Sequence, residues 1–205
     1  MNTAHSLQLP LHEADVRQLR VGDLVYLTGE IVISAGLPTY RRLHEELKEG
    51  IAPPLELRGG SLLHLGSQGR ETDDEYELLY MNPTTSTRFN AHMPDLIRGL
   101  DLRITGGKGG LNAESAQAMK DVGCVYLSFV GGGCTLLSES IRRVTGVYWT
   151  EMVTHYRIVR VAVENLGPLT VGIDADGNSL YNSLVEKATE ILPNIMSELP
   201  KRQHS

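Results

Sequence analysis

Three short constellations in this chain combine residue types and spacings that could do chemistry. The first is Asn82-Pro83-Thr84-Thr85-Ser86-Thr87-Arg88. Hydroxyl residues after a proline can cap a helix, and a helix start offers unpaired backbone N–H groups and a positive dipole end to a carboxylate or phosphate. Arg88, about one turn further on, can complete a planar two-point grip on a carboxylate. The same residues also fit a Thr-rich helix cap followed by a solvated arginine. The second constellation is Gly106-Gly107-Lys108-Gly109-Gly110. Its glycines let backbone approach a ligand closely, and its lysine brings a point charge. It lacks the GxxxxGK[ST] order of a P-loop, and a plain turn accounts for it as well. The third is Gly131-Gly132-Gly133, a candidate anion nest or a point of close helix–sheet packing.

Other reactive side chains are isolated. His64, His92 and His155 have no Cys, Asp or Glu at metal-ligand spacing. Glu30 reads as an edge-strand charge, and Asp174–Asn178 as a turn without the full EF-hand ligand series. The two cysteines, Cys124 and Cys134, are too few for an iron–sulfur cluster, which takes three or four thiolates. Their apolar and glycine-rich surroundings suit buried structural thiols. No metal site is expected in this chain alone.

These residues need strands and helices to position them. Leu24–Ile33 reads as a strand, preceded by an arm or edge segment over residues 1–20. Thr39 is the expected N-cap of a helix over Tyr40–Lys48, with Gly50 as its stop. Ser61–Leu65 and Tyr76–Tyr80 read as short strands joined by a polar surface connection, and Thr84–Ile97 as a helix broken or restarted at Pro94. A strand over Leu102–Thr105 runs into the lysine loop, and Asn112 caps a helix over Ala113–Asp121. Cys124–Val130 is a strand, Thr135–Arg142 a helix, and Val144–Trp149, Ile158–Val163 and Leu169–Ile173 are strands. A last helix runs to about Leu199, with a kink or restart at Pro193. Alternation in the middle and strands at both sides predict an α/β layered β/β/α arrangement with a mixed, partly parallel sheet and flanking helices.

The bulk numbers agree with one folded domain. The 205 residues are 41% hydrophobic, and the net charge of -6 comes from no single acidic or basic tract, which disfavours nucleic acid or an anionic membrane as partner. No apolar stretch approaches the roughly 20 residues of a membrane span, and the first residues do not read as a signal peptide, so the expected location is the cytoplasm.

Taken in order, VGDLVYLTGEI at 21–31, NPTTSTR at 82–88, GGKGG at 106–110, GGGC at 131–134, Trp149-Thr150-Glu151 and GPLTVGIDADGNSL at 167–180 resemble the C-terminal domain of class I fumarases and the β subunit of L-tartrate dehydratase. The resemblance implies a swivelling β/β/α domain over residues 21–190, with residues 191–205 as helix end and tail. It implies reversible dehydration of a hydroxy-(di)carboxylic acid, with a [4Fe–4S] cluster held by a separate α subunit, and none bound here. There one iron acts as a Lewis acid on the leaving hydroxyl. It further implies a larger oligomer of αβ units.

Residue by residue, Thr84 matches the proposed base, and Arg88 and Lys108 match carboxylate-holding residues, with Thr85, Gly107 and Gly109 beside them. A neutral threonine needs activation to serve as a base. The chain departs from the family where Gly36 and Leu37 replace an Arg-Asp pair, where Tyr40 takes the place of a histidine, and where Asn82 replaces a glycine. Tyr40 is therefore the candidate second acid–base group. The same losses support an alternative, a non-catalytic or regulatory relative that keeps the fold and an anion site.

Overall fold

The computed structural model describes residues 3–71 and 76–198. Its centre is a seven-stranded mixed sheet. Strands β1 (Ala4–Gln8), β2 (Leu24–Ile33), β3 (Ser61–Leu63), β6 (Ile104–Gly107) and β7 (Val125–Ser128) follow one another in parallel, and β9 (Ile158–Ile173) and β8 (Ile141–Tyr148) complete the order. The long β9 runs antiparallel to β7, to β8 and also to β2, from Leu24↔Thr170 to Ile33↔Val159. By pairing with both β2 and β7 it turns the sheet back on itself. A second, two-stranded sheet is the hairpin of β4 (Leu65–Glu71) and β5 (Tyr76–Pro83).

Side-chain alternation sorts the strands into two cores. Ile31, Ile33, Val125, Leu127, Val159 and Val161 enter one cluster, and their neighbours Val32, Tyr126 and Ile158 enter the other. This is the period of two that a strand imposes when both faces are buried. The second cluster lies under α2 (Leu37–Lys48), α3 (Met93–Gly99) and α4 (Ala113–Val122). Tyr40 and Leu43 of α2, and Ala116 and Met119 of α4, point into it at helical spacing. The remaining helices are α1 (Glu13–Arg17), α5 (Cys134–Ser138) and α6 (Leu180–Glu198). Among the described residues no helix is long and apolar enough to cross a membrane.

Several sequence expectations change. The N-cap of α2 is Gly36, with Pro38 in the first turn; Thr39 is inside the helix, and its hydroxyl donates to the Tyr156 carbonyl. Residues 65–71 are not a plain connection, because Leu65↔Pro83 to Glu71↔Tyr76 pair as a hairpin; residues 72–75 lie outside the described chain. The expected helix over 84–97 divides into a 3-10 turn, Ser86–Phe89, and α3, whose first turn holds Pro94. The two strands expected over 158–173 are one, bent at Asn165, which takes φ 55°. Helix α6 continues through Pro193. The cap at Asn112 is as expected, since the Ser115 N–H donates to its side chain at 3.2 Å, and Gly123 ends α4 in the left-handed conformation.

Candidate active site

The carboxyl ends of the parallel neighbours β3, β6 and β7 release His64, the lysine loop and the Gly131–Gly133 segment at one border of the sheet. Ligands in α/β folds bind at such a border. Strand β5 delivers Asn82–Arg88 to the same place. Thr85 and Lys108 form an isolated parallel bridge, in which the Lys108 N–H donates to the Thr84 carbonyl at 3.1 Å and the Ser86 N–H donates to the Lys108 carbonyl at 2.8 Å. The hydroxyl-rich segment and the lysine loop are thus joined by backbone.

Close approach depends on Gly107. A Cβ there would meet Ser86 Oγ at 2.4 Å, His64 Cβ at 2.9 Å and the Thr84 carbonyl oxygen at 3.1 Å. A buried chain of hydrogen bonds fixes the contact. The Gly110 N–H donates to the Tyr126 hydroxyl (3.3 Å), the Tyr126 O–H to Ser86 Oγ (2.8 Å), the Ser86 O–H to His64 Nδ1 (2.7 Å), and His64 Nε2–H points at the Met93 sulfur (3.4 Å). Taken in this direction each donor finds an acceptor. Burial, helped by the nearby Arg88 charge, pushes the His64 pKa down to about 3, which keeps the ring neutral. Burial raises the Tyr126 phenol.

Next to the segments that this network joins lies a cleft of about 570 Å³. Thr84, Arg88 and Lys108 line it, with Ala35, Leu37 and Pro38 at the start of α2. Gln68 and Tyr80 of the hairpin and His155 and Tyr156 of the 3-10 turn Thr154–Tyr156 form other walls. No carboxylate side chain is among the described lining residues, so two cations stand unopposed. An Arg88 Nη donates to Thr84 Oγ1, while Nε reaches the Thr85 carbonyl at 3.4 Å. A hydroxyl that accepts from a guanidinium has its alkoxide form favoured. A larger depression of about 710 Å³ between β8 and the hairpin contains none of these residues.

The other sequence candidates lie elsewhere. Tyr40 does not reach the cleft. It is fully buried, stacked on Phe89 at 4.1 Å, and its hydroxyl faces the Ser34 and Leu63 carbonyls. Burial raises its phenol well above the ordinary value, so it packs the core and is not an acid–base group. Gly107 is also buried and is not among the described residues that line the cleft; its carbonyl accepts from the Phe129 N–H. Thr85 and Gly109 sit next to the lining residues, and Gly109 is needed for its φ of +84°.

Sequence reading missed His155 and Tyr156, because more than sixty residues separate them from Arg88 and no local pattern marks them. The Tyr156 ring fills the space above Gly36, where a Cβ would come within 2.5 Å of it. Asn82 also lines the cleft, with its side-chain oxygen buried and unpartnered in the described chain.

Among the described residues no three His, Cys, Asp or Glu side chains gather to hold a metal ion. The Cys124 thiol is buried and pushed up to about 12, which disfavours the thiolate a cluster needs.

Residues 2–184 match the family model described as Fumarase C-terminus. A protein of Methanocaldococcus jannaschii named "Putative L(+)-tartrate dehydratase subunit beta" is 33% identical over 187 residues, which cover 91% of this chain and 95% of that one. The L(+)-tartrate dehydratase subunit beta of Escherichia coli K12 is 29% identical over 198 residues, 97% and 96% of the two chains. A "Putative fumarate hydratase class I" of Geobacillus stearothermophilus is 30% identical over 91% of this chain, which spans 35% of that longer protein.

Proposed function

The chain belongs to the fumarase C-terminus family, and on that footing we propose that it is the β subunit of a hydro-lyase that reversibly dehydrates a hydroxy-(di)carboxylic acid. One observation carries this reading: Thr84, Arg88 and Lys108 converge in a single cleft that holds two cations and no carboxylate side chain among its described lining residues. Such a cleft attracts an acid and can stabilise the extra negative charge that builds on a carboxylate when the neighbouring carbon loses its proton. Arg88 has the planar geometry for a two-point grip, and Lys108 adds a point charge from a loop fixed by backbone bonds. Thr84 Oγ, polarised by Arg88, is the atom assigned to the carbon-bound proton.

The chain has two cysteines, of which Cys124 is buried, and the reading assigns any cluster to an α subunit and derives no step through it. The naming of two relatives as a subunit beta supports the division, as does the match to only 35% of the longer putative fumarate hydratase class I named above. A swivelling role for the domain belongs to the same proposal.

The test is anaerobic co-expression with the candidate α subunit, followed by assays of hydration and dehydration on fumarate, tartrate and related monoacids. Activity is expected only with both chains. Arg88→Ala and Lys108→Ala should each lower kcat/KM on the order of a hundredfold without unfolding the chain. Near-wild-type turnover in both variants would overturn the residue roles. A stable complex inactive on every acid would favour the non-catalytic relative.

A further inference from the structure

Helix α6 carries an apolar face that no other described element covers. Leu184, Val185, Ile191, Leu192, Ile195 and Met196 recur at helical spacing, and each is between 48% and 65% exposed. Together they expose on the order of 500 Å² of apolar surface, near the top of what a monomer leaves bare. A helix of this length owes most of its stability in a protein to burying such a face.

The place where α6 begins says what covers it. Its Tyr181 ring packs against Gly110, where a Cβ would come within 2.4 Å of the ring, and meets Tyr126 edge-on at 5.8 Å between centroids. Gly110 closes the lysine loop, so α6 begins beside that loop. At the same loop a Cβ on Gly131 would lie 3.7 Å from Lys108 Cδ. Val130, next to it, is 69% exposed, and Leu136 within α5 is 57% exposed. Two bare apolar patches therefore begin beside the lysine loop.

We propose that this rim, the α6 face together with Val130 and Leu136, is the docking surface for the α subunit that completes the active site. The proposal rests on the heteromeric reading above and names its contact surface. A chain that closes the cleft over Arg88 and Lys108 comes up to the lysine loop, beside which both patches begin. A second copy paired through α6 alone would leave Val130 and Leu136 bare. With its polar borders the rim approaches the roughly 800 Å² per partner of a specific interface.

The test uses the full chain with the double substitution Leu184→Glu/Leu192→Glu and, separately, Val130→Asp, each titrated anaerobically with the candidate α subunit. These side chains are exposed, so the isolated variants should keep the circular dichroism and Tm of the wild type. Affinity for the α subunit is expected to fall at least a hundredfold in the double variant and at least tenfold in Val130→Asp. An unchanged Kd in either overturns the proposed surface while leaving the hydro-lyase reading intact. An isolated chain that is dimeric by light scattering, and made monomeric by Leu184→Glu/Leu192→Glu, assigns the helix to a second copy and also overturns it. Failure of the wild type to bind the α subunit overturns the surface and the heteromeric reading together.

Discussion

Ser86 shows how a side chain outside the cleft can set its geometry. Its Oγ accepts from Tyr126 and donates to His64 while its backbone N–H holds the Lys108 carbonyl. Ser86→Ala would leave a buried phenol and a buried imidazole nitrogen unpaired, so stability should drop by about 1–3 kcal/mol in urea unfolding. If the chain only stiffened the core, kcat/KM would stay near wild type under conditions where the variant is folded. A fall in kcat/KM is expected, because the bonds join the segments that carry Arg88 and Lys108.

His64 also makes a pH prediction. Its folded pKa is about 3, below the ordinary 6.5, so between those values the unfolded chain binds the extra proton. Its contribution is present above pH 6.5 and is lost as pH falls toward 3. The depressed His92 pKa acts in the same direction. The urea midpoint should decline from about pH 6.5 downward, and His64→Asn should flatten that decline. Equal slopes in the two proteins would refute the assignment.

At the scale of elements, the two inner glycines of the lysine loop should respond differently. Gly107→Ala forces a Cβ into Ser86, His64 and backbone, with an expected cost of about 1–3 kcal/mol and a displaced lysine loop. Gly109→Ala meets nothing closer than Thr85 Cγ2 at 4.0 Å and suffers only from its positive φ, about 1 kcal/mol. Thermal unfolding of the two variants distinguishes packing from backbone strain.

Much of this arrangement was legible because the relevant signals are local. Strand β2 shows as an apolar β-branched run, α4 announces its cap at Asn112, and the glycines around Lys108 mark a turn after a strand. The hairpin strand β4 was not legible, since GSQGR has no apolar alternation and is held by its pairing with β5. Strand β9 looks like two strands because Asn165 and Pro168 imitate a turn, yet pairing with β2 carries the chain through. Tyr40 went wrong for a related reason. Its position in the motif is visible in sequence, but the face of α2 that meets Phe89 is a tertiary fact.

At the scale of the whole molecule, stability should be unevenly distributed. Strands β2, β7 and β9 share one closed pairing scheme and two buried cores, whereas α6 beyond its first turn lies open to water. Hydrogen exchange of the isolated chain should show those three strands opening together and the peptides spanning 185–197 exchanging far sooner. Equal protection of α6 and β9 in the isolated chain would contradict this picture.

The seat of Tyr156 over Gly36 restricts how this site can change over generations. A side chain at position 36 would collide with the ring at 2.5 Å, and Thr39 holds the backbone of the same tyrosine in place. Replacement of Tyr156 by a small residue must therefore come first, and any larger residue at position 36 can be accepted only afterwards. Taken in the other order, the first step is penalised before the second can help. The two positions are therefore coupled in both directions, since a return must shrink position 36 to glycine before a tyrosine can be seated again at 156.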